Sequence, residues 1–325
     1  MVFSWLEKTN SKDMNNKNMI ENIKEYSYSD DSGDARIMVY HLFPGVEAAF
    51  VTAHMGEFDF SFIEKYHTHS YALILYCREG RIEQESRNEF FYLMPGDCSI
   101  MVENQLQEKF KLPLKHYHGI SIGIDLDRKS NPLFTYLESC DCTPQEALAH
   151  ICGGLSSIVL RSSLIAKKFF EEMYEIDFEE RFDYLRVKMP ELFFRMKHAK
   201  TERNYYDRNL VPRTQVEIVK AASQYITDHL NEKITMKQLT QEFGVSDTYL
   251  QNAFRSVYGM PVISFIRVQK MQRAAQVLIH TTQSVEEIAL NFGYENESKF
   301  SSAFKKIMGD SPGVYRKEHS KVKII

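Results

Sequence analysis

Leu239-Thr-Gln-Glu-Phe-Gly244-Val-Ser-Asp-Thr-Tyr-Leu250-Gln-Asn-Ala-Phe254-Arg-Ser-Val-Tyr-Gly259 returns in diverged form as Ile288-Ala-Leu-Asn-Phe-Gly293-Tyr-Glu-Asn-Glu-Ser-Lys-Phe300-Ser-Ser-Ala-Phe304-Lys-Lys-Ile-Met-Gly309. Both copies put a small residue, Thr240 or Ala289, four positions before a glycine. An apolar residue, Leu250 or Phe300, follows six or seven positions after that glycine, with a phenylalanine four further on. In a helix-turn-helix the small side chain lets two helices approach, the glycine accepts the left-handed backbone that ends the first helix, and the apolar pair at i and i+4 plugs the second helix into the core. Thr235 with Gln238 and Ser284 with Glu287 have capping-box spacing at helix starts, and Ser246 or Asp247 is placed to cap the helix after the first turn.

A helical pattern from about 262 to 279, carrying Ile266, Met271, Ala274, Ala275 and Leu278, joins the two copies after Pro261. A rod of about 18 residues spans about 27 Å, enough to present two helices near major-groove segments about 34 Å apart on one face of B-DNA. One such match is a generic helical hairpin. Two copies on a common rod predict a DNA-binding domain.

The stretch 220–317 resembles the AraC/XylS transcriptional regulators. The resemblance is most specific over Ile288-Ala289-x3-Gly293-Tyr294-x5-Phe300-x3-Phe304-Lys305-x3-Gly309-x2-Pro312-x2-Tyr315-Arg316. Three positions depart from the family pattern: Thr240 replaces alanine, Lys270 replaces a linker-helix arginine, and acidic Glu297 opens the second recognition helix. The resemblance implies sequence-specific binding to double-stranded promoter or operator DNA, contact with RNA polymerase, and activation as the family default.

Apolar spacing turns Tyr249, Leu250, Ala253 and Phe254 inward and leaves Thr248, Gln251, Asn252 and Arg255 outward; in the second copy it leaves Ser298, Lys299, Ser302, Lys305 and Lys306 outward. By the resemblance, Thr248, Gln251 and Asn252, then Ser298, Lys299 and Ser302, are the base-edge readers. Gln and Asn pair bidentately with adenine and Lys reaches guanine acceptors. Arg255, Lys305 and Lys306 are expected on phosphates.

Working outward, residues 214–325 carry 14 Lys and Arg against 11 Asp and Glu, so an excess of seven acidic groups lies in the first 213 residues of a chain whose net charge is -4. The basic part is the part with the repeat. The polar stretch from Lys200 to Asn209, followed by Pro212, marks a linker placed at 205–213, ahead of a double helix-turn-helix domain at 214–320. Apolar positions recurring at three and four residues, among them Leu155, Ile158, Val159, Ile165, Phe169 and Met173, predict helices over 144–204, with a second helix beginning at Pro190. Such helices must bury their apolar stripe, and dimerisation is the expected use.

From about 35 to 126, within a barrel domain placed at 35–143, the texture is β: Val39-Tyr-His-Leu-Phe, Ala49-Phe-Val-Thr, Tyr71-Ala-Leu-Ile-Leu-Tyr, Phe90-Phe-Tyr-Leu and Ile120-Ser-Ile-Gly-Ile, broken by Pro44-Gly45, Glu79-Gly80 and Pro95-Gly96-Asp97. Residues 1–34 read as an irregular lead-in. His67-Thr-His69 followed by Met94-Pro95-Gly96-Asp97 looks like the cupin-type barrel that often precedes this DNA-binding module. The predicted class is therefore α+β, a cupin-like barrel with appended helices followed by an all-α domain of two helix-turn-helix units.

Cupin enzymes also need a Glu after the His pair and a His after the Pro-Gly turn. Here Leu73, Ile74 and Leu75 stand near the first place and Cys98, Ser99 and Ile100 follow the turn, so no metal and no cofactor is assigned. His116 and His118 alternate as strand neighbours and could complete a metal site, but alternating His on a strand is more often packing or solvent. His67 and His69 are the expected effector contacts in a pocket for an unspecified small molecule. A metal-dependent cupin enzyme with an accessory helical domain is the alternative, but no catalytic set is visible. Five cysteines form no finger-like ligand spacing, and the longest apolar run, Tyr71 to Cys77, is seven residues. A cytoplasmic, homodimeric, ligand-responsive regulator without a membrane span is the expectation.

Overall fold

The computed structural model describes residues 22–30, 33–59, 70–86, 89–103, 109–128, 130–199, 210–232 and 234–319. The chain divides into two compact units, Met1–Leu210 and Val211–Ile325.

The strands of the first unit are β1 (Ile23–Asp30), β2 (Gly33–Phe43), β3 (Val46–His54), β4 (Glu57–Asp59), β5 (Tyr71–Gly80), β6 (Ile82–Ser86), β7 (Glu89–Leu93), β8 (Cys98–Glu103), β9 (Lys109–Lys111) and β10 (Tyr117–Asp125). After them come α1 (Pro132–Ser139), α2 (Pro144–Cys152), β11 (Ser157–Leu160), α3 (Leu164–Glu175) and α4 (Phe178–Lys197). The larger sheet has the order β1-β2-β3-β10-β5-β8-β11, and the smaller contains β7-β6-β9-β4.

Alternation along the strands sorts the core into two layers. Val51, Ala53, Leu73, Leu75 and Cys77 face Ile82, Phe91, Leu93 and Phe110 of the smaller sheet. Ala48, Ile74, Tyr76, Ile120 and Ile122 face the helices, meeting Phe169, Phe170, Met189 and Phe193. Strand β5 is covered on both sides, which is why Tyr71 to Cys77 is apolar without interruption. The Phe170 ring lies flat on Tyr76, centroids 4.8 Å apart. Asp97, fully buried, ties the Pro95-Gly96 turn to the chain before α3: its carboxylate accepts from Met94 N at 2.9 Å, Ser162 N at 3.0 Å and Arg161 Nη1.

Four sequence expectations change. The sheet is not closed: its order ends at β1 and β11, so the β region is a pair of facing sheets rather than a single barrel. Residues 23–30, assigned to the lead-in, form β1 because their register with β2 is complete from Ile23–Tyr40 to Asp30–Gly33. Ile158 and Val159, counted into a helical period, belong to β11 and extend the sheet beside β8; a short apolar run does not distinguish a buried strand from a helix. Pro190 lies inside α4, whose start is set at Asp177 with Glu179 and Glu180 in the first turn, where acidic side chains favour the helix dipole.

The second unit is helical: α5 (Arg213–Asp228), α6 (Met236–Phe243), α7 (Asp247–Tyr258), α8 (Val262–His280), α9 (Val285–Asn291), α10 (Glu297–Met308) and α11 (Pro312–His319). Among the described residues no helix is long and apolar enough to cross a membrane.

Candidate nucleic-acid interface

The two repeats fold into matching hairpins, α6–α7 and α9–α10, on either side of α8. Both first helices open with a complete capping box, Thr235 with Gln238 and Ser284 with Glu287. Such caps stabilise a helix start by about 1 kcal/mol each. Both close through a left-handed glycine, Gly244 at φ 63° and Gly293 at φ 77°. The residue after each glycine donates its N–H five positions back, Val245 to Thr240 O at 3.2 Å and Tyr294 to Ala289 O at 2.9 Å. The same sequence feature has produced the same turn twice.

The second helices are capped by Ser246, which accepts from Tyr249 N at 3.2 Å, and by Asn296, which accepts from Lys299 N at 2.9 Å. Leu250, Phe254, Phe300 and Phe304 are fully buried. Phe254 meets Phe265 of α8 edge-on at 5.4 Å, and Phe304 meets Tyr315 of α11 in the same way at 5.4 Å. Rings packed in this way hold the recognition helices against their supports.

Two side chains of α8 and α11 brace the unit. Lys270 Nζ donates to Phe292 O at 3.0 Å and to Glu232 O at 3.3 Å, so one ammonium serves the closing residue of α9 and the chain just after α5. Burial lowers the Lys270 pKa. A cation over helix C-terminal carbonyls also suits the dipole. Arg316 Nε donates to Leu278 O at 3.0 Å, with its Nη2 on Gln283 O. The lysine in place of arginine thus keeps a bracing role that its sequence position alone does not reveal.

Of the nine residues expected on DNA, eight lie on exposed surface: Thr248, Asn252, Arg255, Ser298, Lys299, Ser302, Lys305 and Lys306. Gln251 does not. It is half-buried, accepts a hydrogen bond from Val262 N at 3.3 Å, and directs Nε2 to Met236 Sδ at 3.5 Å. Tyr249, expected inside, is instead 37% exposed. The inward face of α7 is therefore shifted from the one apolar character predicts: Tyr249 falls outside it, and Gln251 turns to an N–H at the start of α8 that no side chain of Pro261 can cap.

Lys299 pairs with Glu295 one turn away, and that hydrogen bond holds the exposed Glu295 carboxyl below its usual range. Exposed pairs of this kind add little to stability and yield readily to a phosphate or base acceptor. Glu297, in the first turn of α10, favours the helix dipole at that end. His67 and His69 lie outside the described residues.

A helix-turn-helix domain family matches residues 239–318. The chain is 30% identical over 102 residues to the HTH-type transcriptional activator AarP of Providencia stuartii, covering 31% of this chain and 76% of that one. It is 37% identical over 99 residues to the F1 operon positive regulatory protein of Yersinia pestis, covering 30% of this chain and 33% of that relative. Among solved structures it is similar to the C-terminal domain of AraT from Geobacillus stearothermophilus, at 33% identity, 33% of this chain, 90% of that one and a TM-score of 0.32. Two helix-turn-helix units with these sequence matches define a DNA-binding transcriptional regulator, and the relatives are regulators rather than enzymes. The chain belongs to the AraC/XylS family.

Proposed function

We propose that the protein is a ligand-responsive activator that reads two successive major-groove segments of its operator with α7 and α10. The observation that carries this reading is the doubled hairpin, with equal turns, equal caps and polar residues outward at equivalent places. Thr248 and Asn252 on α7, and Ser298, Lys299 and Ser302 on α10, are the base readers; Arg255, Lys305 and Lys306 hold phosphates. Gln251 reads adenine only by releasing Val262 N.

The first unit takes the regulatory role, as a cupin-like pair of sheets with a helical annex. Between the facing sheets lies a small void of about 10 Å³, bordered by Val51, Leu75 and Phe110. A cavity of about 480 Å³ lies instead on the helix-covered face, lined by residues such as Ile100, Phe169, Phe170, Leu192 and Met196. That volume suits a small, largely apolar effector. His67 and His69 stay effector contacts as read from the sequence, with no place assigned to them relative to this cavity. Leu164 (81% exposed), Ile165 and Phe194 lie on α3 and α4 around this region and support dimerisation through the 144–204 helices. The 205–213 linker and the 214–320 DNA-binding domain are kept as read from the sequence, with β1 and β11 joined to the sheet of the first unit, and the working compartment is the cytoplasm, where RNA polymerase is available.

Footprinting of the full chain on its own upstream region tests the proposal. Protection of two segments about one helical turn apart supports it, and uniform, sequence-independent protection contradicts it.

A further inference from the structure

At one end of the larger sheet, away from the DNA-binding helices in sequence and in function, three imidazoles and a carboxylate converge. His54 closes β3, His116 and His118 stand at the opening of β10, and Glu79 sits near the end of β5. One ring nitrogen from each of the three histidines lies within 4.8 Å of the other two. His116 Nδ1 is 3.3 Å from His54 Nδ1, and Glu79 Oε2 is 3.3 Å from His116 Nε2 and 3.5 Å from His118 Nδ1.

These separations carry a chemical meaning. Tetrahedral zinc has bonds of about 2.0–2.1 Å to nitrogen and oxygen, so neighbouring donor atoms stand about 3.3–3.4 Å apart. The His54–His116 edge, through His116 Nδ1, and the His118–Glu79 edge are close to that spacing, while Glu79 stands beside the other nitrogen of His116, so His116 joins the set through one of its two nitrogens.

The backbone fixes the donors in place. His118 is directly opposite Glu79 in the β10–β5 register, and the register shifts immediately after it, at the His118/Gly119 step. Such irregularities re-aim side chains and recur beside functional sites. Gly33 and Gly80 let other strands pass unusually close: a Cβ on Gly33 falls 1.9 Å from His54 O, and one on Gly80 falls 1.9 Å from His116 O. Both glycines have positive φ, so two positions that admit little but glycine clamp two of the three histidines.

The surroundings suit a cation. Glu79 supplies one negative charge, and Asp34 pairs with His54 across β2 and β3. The neighbouring Arg78 is already engaged, its Nε 3.2 Å from Glu171 Oε2 and its guanidinium over the Tyr174 ring. His118 Nδ1 faces Glu79, and His118 Nε2 is buried without a hydrogen-bond partner among the described residues.

The geometry points to a three-histidine, one-glutamate site for a divalent late transition metal, zinc foremost, formed by His54, His116, His118 and Glu79. Imidazole and carboxylate together suit zinc and its neighbours rather than calcium or magnesium, which prefer oxygen alone. The donors come from three neighbouring strands of one sheet. They are distinct from His67 and His69, and the site does not depend on the DNA-binding reading. The sequence reading assigned no metal and favoured packing or solvent for His116 and His118 while leaving a site possible: the alternation was visible, but the cross-strand partners Glu79 and His54 were not.

The test uses the full chain, stripped with a chelator and titrated with zinc against a chromophoric competitor, with cobalt(II) as a spectroscopic probe. The expected result is one tight zinc per chain and visible cobalt bands of a tetrahedral nitrogen–oxygen site. Both are lost in H116A/H118A and in E79Q, and both are kept in C140S/C142S. Melting without metal shows whether each variant folds, and E79Q, at a half-exposed side chain, covers the case in which the double histidine variant does not. No uptake by the wild type, uptake unchanged in E79Q and H116A/H118A, or thiolate-to-cobalt bands that vanish in C140S/C142S each overturn the assignment.

Discussion

Lys270 Nζ lies 3.0 Å from the main-chain oxygen of Phe292, the residue that closes α9, and the same ammonium reaches Glu232 O at 3.3 Å. One side chain of the linker helix therefore holds elements from both halves of the DNA-binding unit. Hydrogen bonds from a charged donor contribute about 1.5–3 kcal/mol, more than an ordinary pair. Lys270→Ala is expected to lower the stability of this unit by that amount in urea unfolding, and Lys270→Arg to retain most of it. Equal midpoints for wild type and alanine variant contradict the bracing role.

Gln251 and Asn252 are neighbours with opposite duties. Gln251→Ala removes the acceptor for Val262 N and is expected to cost about 1 kcal/mol of stability. Asn252→Ala is expected to leave the melting temperature alone and to weaken the specific site by about 1–3 kcal/mol. Anisotropy titrations beside thermal melts separate the two; the reverse pattern refutes the assignment.

The turns were legible in the sequence and the strut was not. Gly244, Gly293 and both capping boxes are local, set by residues within a few positions, and each occurs where the repeat puts it. Gln251 serves an N–H eleven residues away, and Lys270 serves a carbonyl 22 residues away, so neither pairing has a periodic trace. The same reason hid β1 and β11: a strand is defined by its partners across the sheet, and β11 finds its partner in β8, more than 50 residues earlier. His116 and His118 were visible as a pair, and only the fold adds Glu79 and His54.

At Gly244 a Cβ meets nothing within 4 Å, so Gly244→Ala isolates the cost of a positive φ. A loss of about 1–2 kcal/mol is expected, with Gly293→Ala similar because Lys270 Nζ at 3.6 Å is an ordinary contact. Loss near zero at both sites contradicts the left-handed turns.

In the first unit, the hydrogen bond from Lys188 holds the Glu172 carboxyl below its usual 4.5. The unfolded chain then binds more protons, so this stabilisation is complete above the unfolded value and drains as pH falls through the folded one. Burial alone lowers Lys188, but its hydrogen bonds to Glu172 and Glu191 outweigh that and raise it, so its share is present below 10.5 and lost above. Between neutral pH and about pH 3, the unfolding midpoint of the wild type is expected to fall more steeply than that of Lys188→Met. Parallel curves contradict it.

Lys305, Lys306 and Arg255 are exposed cations at the proposed phosphate contacts. Each alanine substitution is expected to weaken specific and non-specific DNA alike and to reduce the slope of log K against log salt by about 1. An unchanged slope removes that residue from the contact.

The most direct test of two reading helices on one rod is selection of binding sites from random duplexes by the full chain, repeated with Asn252→Ala and with Ser302→Ala. The account predicts a wild-type site with two informative segments centred about 10 base pairs apart, one relaxed only by Asn252→Ala and the other only by Ser302→Ala. A single informative segment, or one in which both substitutions relax the same bases, contradicts it.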